Sequence, residues 1–175
     1  VSIGGFDESY RLPSIEDIEL GYRLKKAGHR IRLCKTLQGK HLKHWGVVSL
    51  LRADFFYRAI PWTALILRDR TIPNDLNLGL TSRLSAILTY LLAIALAGSC
   101  WWPSLLAIVA IVISPLLVLN APVYRFFRRK HGLGFALRTI PWHWLYYFYG
   151  GLAFTIGVIR HLLYRYNPET DCQIS

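Results

Sequence analysis

Between residues 84 and 124 the chain carries no Asp, Glu, Lys, Arg or His, a run of 41 residues. An α-helix needs ~20 residues to cross a hydrocarbon core, so the run predicts two spanning helices, residues 84–100 and 104–121. The break falls at Gly98-Ser99-Cys100-Trp101-Trp102-Pro103, where Gly and Pro favour a turn and the tryptophans suit an interface. A third apolar stretch, residues 140–159, is interrupted only by His143 and is rich in Trp, Tyr and Phe. It reads as a third span, with an interfacial or re-entrant helix as the alternative. Upstream, Arg52, Asp54 and Arg58 alternate with Leu50, Leu51, Phe55, Phe56, Ile60 and Trp62, and Pro61 lies inside the pattern. A broken amphipathic element on the membrane surface fits this spacing, and so does a helix packed on a soluble domain. The expected organisation is a mixed polar part over 1–47, an amphipathic interfacial segment over 48–82, transmembrane helices within 83–160 and a tail over 161–175.

Residues 14–27, SIEDIELGYRLKKA, predict one helix of about four turns. Ser14 is a suitable N-cap, Asp17 completes a variant capping box, and Lys25, Lys26 and Gly28 mark the end. At 100° per residue, Glu16, Glu19, Arg23 and Lys26 share an arc of about 80°, which predicts a solvated face. Asp17 projects to the other side beside Leu20, Gly21 and Leu24, so an acid is expected to point toward a cleft. Residues 29–34 alternate polar positions with Ile31 and Leu33 and read as a short strand.

Composition narrows the class. The chain is 53% hydrophobic and carries a formal net charge of +11, which in principle suits nucleic acid, anionic lipid or phosphate-bearing substrates. The basic residues are spread over the first third and the flanks of the apolar runs, with Arg125, Arg128, Arg129 and Lys130 as the one dense cluster. That distribution favours a membrane surface, and no nucleic-acid partner is expected. The positive-inside rule then puts residues 125–138 and everything before Arg83 on the cytoplasmic side. Cys34, Cys100 and Cys172 are far apart and indicate neither a disulfide framework nor a zinc site. The first residue is Val1 and methionine is absent, so the chain is expected to be a fragment.

His41 and His44 follow the expected strand, and neutral imidazole suits manganese and neighbouring metals. Gly4-Gly5-Phe6-Asp7-Glu8, then Glu16-Asp17-Ile18-Glu19-Leu20-Gly21-Tyr22-Arg23-Leu24, then Ala27-Gly28-His29 resemble the G-G-F-D-E and E-D-x-E-L-x-x-R-L-x-x-x-G blocks of family 2 glycosyltransferases. The blocks occur in the family's order at about its spacing, and the resemblance covers residues 1–45.

The resemblance implies an α/β C-terminal remnant of a GT-A domain that lacks its nucleotide-binding half, followed by an α-helical membrane region of about three transmembrane helices. It also implies inverting transfer of a sugar from a nucleotide-sugar donor to a lipid, polyprenyl-phosphate or lipid-linked glycan, at the cytoplasmic face of an integral membrane protein. Asp17 would be the catalytic base with Glu16 beside it. A divalent cation, Mn or Mg, would take a histidine as a ligand, His41 matching by spacing better than His44, with most ligands in the missing half. Gly4, Gly5, Asp7, Glu8, Arg58 and Trp62 are acceptor-side candidates. Processive synthases of the family carry Q-x-x-R-W, which Arg58 and Trp62 match only loosely, so single-sugar transfer is favoured. The alternatives are a processive polysaccharide synthase and a non-catalytic multi-span membrane protein with a decayed transferase part.

Overall fold

The computed structural model describes residues 3–10, 15–34, 36–40, 42, 44–70, 74 and 76–166. Every regular element among them is helical: α1 Glu16–Lys26, α2 Val47–Arg52, α3 Ile60–Asp69, α4 Leu80–Gly98, α5 Leu105–Leu119, α6 Ala121–His131 and α7 Leu133–Tyr166. A π-helical segment, Ala53–Ala59, joins α2 to α3. The expected α/β remnant is therefore corrected, because no strand occurs among the described residues. Residues 29–34 run exposed, with Ile31 and Leu33 facing outward. Alternation alone cannot satisfy the backbone N–H and C=O groups of a strand, and no other described segment pairs with it.

The chain divides into two compact units, residues 1–70 with 153–175 and residues 71–152. In the first unit α1 ends as its sequence demands. Gly28 adopts φ +80°, its N–H reaches the Lys25 carbonyl at 3.1 Å, and the His29 N–H reaches that of Leu24 at 3.0 Å. This pair of bonds is a Schellman motif, which needs a left-handed residue that glycine supplies without Cβ strain. The start differs from expectation. The N-cap is Ile15 with no side-chain cap bond, and Ser14 lies outside the described residues.

Pro61 was expected to break the amphipathic element, yet the chain stays helical through it. Proline has no N–H to give the carbonyl four residues back, and here it occupies the first turn of α3 just past the π-helical segment. The Thr63 hydroxyl donates to the Ala59 carbonyl at 2.7 Å, which satisfies an acceptor near that junction.

In the second unit α4 and α5 form a hairpin. Leu92, Val112 and Leu116 are buried between them, with Leu88, Val109, Ile113 and Trp144 packed on this core. A polar ladder sits beside it: Asn120 Nδ2 donates to Ser85 Oγ at 2.9 Å and Tyr147 Oη donates to Asn120 Oδ1 at 2.8 Å. Thr89 Oγ1 donates to the Ser85 carbonyl at 2.7 Å, and Tyr90 Oη donates to the Phe148 carbonyl at 2.7 Å. Ser85, Thr89 and Asn120 are buried, whereas Ile87, Leu91 and Ile94 of the same hairpin are exposed. The hairpin thus buries polar as well as apolar side chains while large aliphatic ones also face outward.

One helix, α4, is by itself long and apolar enough to cross a membrane. The expectation of three spans is corrected. α5 has 15 residues, about 22 Å of helix against a core of about 30 Å, and is bent by 67° from α6. Taken as one bent span, the pair would raise the number to two. α7, at 34 residues, has the length but not the apolarity. Arg138, Pro141, His143, Arg160 and a run of tyrosines and tryptophans dilute it.

Candidate functional site

The first unit gathers both motif blocks around one guanidinium group. Arg23, two turns into α1, donates from Nη1 to the Ile3 carbonyl at 2.6 Å and from Nη2 to the Gly5 carbonyl at 2.7 Å. Its Nε donates to both carboxylate oxygens of Glu19, at 2.8 and 2.9 Å. Arginine suits this task because its planar fork carries five donors in fixed directions. Gly4 lies between the two carbonyls at φ +76°, a left-handed conformation that lets both turn toward the same cation and that side chains rarely adopt. Beyond it the Ser9 N–H donates to Asp7 Oδ1 at 3.0 Å. The Ser9 hydroxyl and amide hold the Asp7 carboxyl below its ordinary range.

Glu19 was expected on a solvated face, and the structure buries it at 3% exposure. Its partners explain the inversion. Arg68 of α3 approaches Glu19 Oε1 at 3.5 Å, so two guanidinium groups flank the carboxylate and a paired charge can turn inward. The neighbouring Asp69 accepts from Lys26 Nζ at 2.7 Å, and Trp62 Nε1 donates to Tyr22 Oη at 3.2 Å. α1, α3 and the loop over residues 3–10 are thus tied by three cations and two carboxylates.

This network yields a measurable stability effect. Glu19→Gln keeps the shape but removes the charge from bonds to two cations, each of which stays partly solvated, at 31% and 53% exposure. Bonds to charged groups contribute about 1.5–3 kcal/mol. The amide retains one acceptor and the cations can rehydrate, so the variant should lose about 1–2 kcal/mol. Denaturant unfolding followed by circular dichroism would read this as a lower midpoint. An unchanged midpoint would mean that the pair adds nothing.

The other sequence-predicted residues are placed differently. Asp17 is exposed in the first turn of α1, its Oδ1 accepting from the Ile18 N–H at 2.8 Å, so it faces solvent and not a packed interior. Glu16 is half-buried beside it. Gly21, beside which Asp17 was expected to project, faces Ile31, whose Cδ1 would lie 3.7 Å from an added Cβ. Arg58 pairs with Asp54 at 2.8 Å and lies 5.8 Å from the centre of the Trp45 ring, so Arg58 and Trp62 engage different partners. Glu8 and His44 are exposed, and His41 lies outside the described residues.

Among the described residues no three His, Cys, Asp or Glu side chains converge as metal ligands. These residues alone do not make up a metal centre. Sequence reasoning missed Arg68 and Asp69 and gave Glu19 and Arg23 no role. The signal for the last two was present as an acid and a base at i and i+4, the spacing at which helical side chains meet.

Comparison with protein-family models, curated proteins and solved structures finds no match to this chain.

Proposed function

We propose that the chain carries the acceptor-side residues of a membrane-bound inverting glycosyltransferase. The sugar passes from a nucleotide donor to a lipid, polyprenyl-phosphate or lipid-linked glycan at the cytoplasmic membrane face. The observation that carries this reading is the Arg23 clamp. One side chain of the E-D-x-E-L-x-x-R-L block holds the backbone of the G-G-F-D-E block at Ile3 and Gly5, so two segments that resemble the same enzyme family are joined in space. The reading rests on these residues and not on a shared fold.

In this reading Asp17 is the general base. Its carboxylate takes the proton of the acceptor hydroxyl while that oxygen attacks the anomeric carbon and the nucleotide leaves from the opposite side, which inverts the configuration. Exposure in the first turn of α1 leaves Asp17 open to an acceptor, and the Glu19–Arg23 pair fixes the helix that carries it.

The second unit supports a membrane setting with the basic end inward. α4 and α5 are antiparallel, with Trp101 and Trp102 exposed at their turn. Arg83, Arg125, Arg128, Arg129 and Lys130 lie toward the other end of the hairpin, which the positive-inside rule assigns to the cytoplasm.

The test is transfer itself. Membranes containing the protein that carries this chain are incubated with radiolabelled nucleotide-sugars in turn, then extracted with organic solvent. Label entering the lipid phase, above that of membranes without the protein, is the expected result. Label confined to solvent-insoluble polymer would favour the processive alternative, and no transfer from any donor would overturn the reading.

A further inference from the structure

A short basic helix follows the bend after α5. α6 turns by 67° from α5 at Asn120, and Asn120 is fixed at that corner by its bonds to Ser85 and Tyr147. On α6, Arg125, Arg128 and Arg129 are exposed and share an arc of about 100° at helical spacing. Val123, Phe126 and Phe127 occupy the opposite flank, with Phe126 at 55% exposure. Phe127 packs on Phe135 of α7 at 5.5 Å between ring centres, which ties the helix to its neighbour. Lys130 falls on the apolar flank, where a long stem can lie along hydrocarbon and carry its charge back to water.

The cations have no internal counterpart in sequence reach. Residues 76–168 contain no Asp or Glu, so the second unit cannot neutralise α6 with carboxylates of its own described residues. An amphipathic helix with arginines on one flank and aromatics on the other suits an anionic lipid surface. A nucleic acid would satisfy the arginines but leave Phe126 in water.

We propose that α6 lies along the cytoplasmic membrane surface and binds the head groups of anionic phospholipids, with Arg125, Arg128 and Arg129 on the phosphates and Phe126 among the upper acyl chains. This rests on the membrane reading above and adds to it a lipid preference.

The full chain, with Cys34, Cys100 and Cys172 changed to Ser and Val123→Cys labelled with an environment-sensitive fluorophore, is reconstituted into vesicles. One set is phosphatidylcholine, the other an equal mixture with phosphatidylglycerol. The label should be quenched by brominated acyl chains more strongly in the anionic set, and added salt should weaken the difference. Each basic residue near an anionic surface adds about fivefold. R125Q/R128Q/R129Q should therefore shift the docking equilibrium by roughly 10²-fold or more and erase the difference, while R125K/R128K/R129K should keep it, which separates charge loss from misfolding. Quenching that ignores lipid charge, in protein that resists alkaline extraction, overturns the lipid preference alone. Extraction of the protein by alkali overturns the membrane reading and this inference with it. A label that responds to added duplex RNA but not to phosphatidylglycerol also overturns it.

Discussion

Asp17→Asn should lower sugar transfer by roughly 10² to 10⁴ while leaving the fold intact, the range associated with loss of a general base. The two parts of this result have separate causes. The carboxamide matches the carboxylate in size, and its oxygen can still accept from the Ile18 N–H as Asp17 Oδ1 does at 2.8 Å. Asp17 is exposed and takes no part in the pairs among Glu19, Arg23 and Arg68, so its charge stabilises the unit little. What the amide cannot do is accept a proton at neutral pH. The unfolding midpoint should accordingly stay within ~0.5 kcal/mol of the parent, as for surface substitutions elsewhere. Glu16→Gln is the internal control: a loss confined to Asp17→Asn assigns the base to Asp17, and a loss confined to Glu16→Gln moves the role one residue. Transfer within about threefold of the parent for Asp17→Asn would remove it from the chemistry, against the ~10²-fold minimum for a base.

How far the sequence spoke depended on whether a local rule was sufficient. The end of α1 was readable because a Schellman motif needs little beyond Gly28 and its neighbours. The turn between α4 and α5 was readable because Gly98 and Pro103 interrupt a run without charged residues or histidine. Glu19 was misplaced because amphipathicity assigns charge to solvent, whereas Arg68, 49 positions away in the chain, makes its burial tolerable. The strand over 29–34 failed for a related reason. Strands are stabilised by partners remote in sequence, and alternation cannot show that a partner exists. The 67° bend between α5 and α6 was invisible because Asn120 reads as a polar residue at a helix end, and only the structure shows it buried against Ser85 and Tyr147. As for the candidate site, the motif blocks were legible but the clamp was not, because two of its four described acceptors are backbone carbonyls that leave no trace in residue identity.

Leu91→Arg should separate the two environments open to the second unit by the sign and size of its effect. Leu91 lies near the middle of α4 and is 47% exposed, on the same flank as Ile87 and Ile94. If water bathes that flank, an arginine there replaces an exposed apolar side chain and changes stability by no more than ~0.5 kcal/mol. If acyl chains bathe it, the cation sits near the centre of a span and disfavours insertion by about 2.5–3.5 kcal/mol, roughly a 70- to 400-fold shift in the insertion equilibrium. The inward residues set the direction of the expectation. Ser85 and Thr89 on the opposite flank are buried and hydrogen-bonded, so α4 presents its more apolar side outward, where a watery setting would carry an unfavourable hydrophobic surface with nothing gained. The insertion cost should therefore be the one observed. It is measured by fusing α4 with its flanks into a reporter whose glycosylation records translocation, and by comparing Leu91→Arg with Leu91→Ala. A variant that inserts as efficiently as the alanine control would place the exposed flank of α4 in water or against protein and withdraw the bilayer from the reading of the second unit.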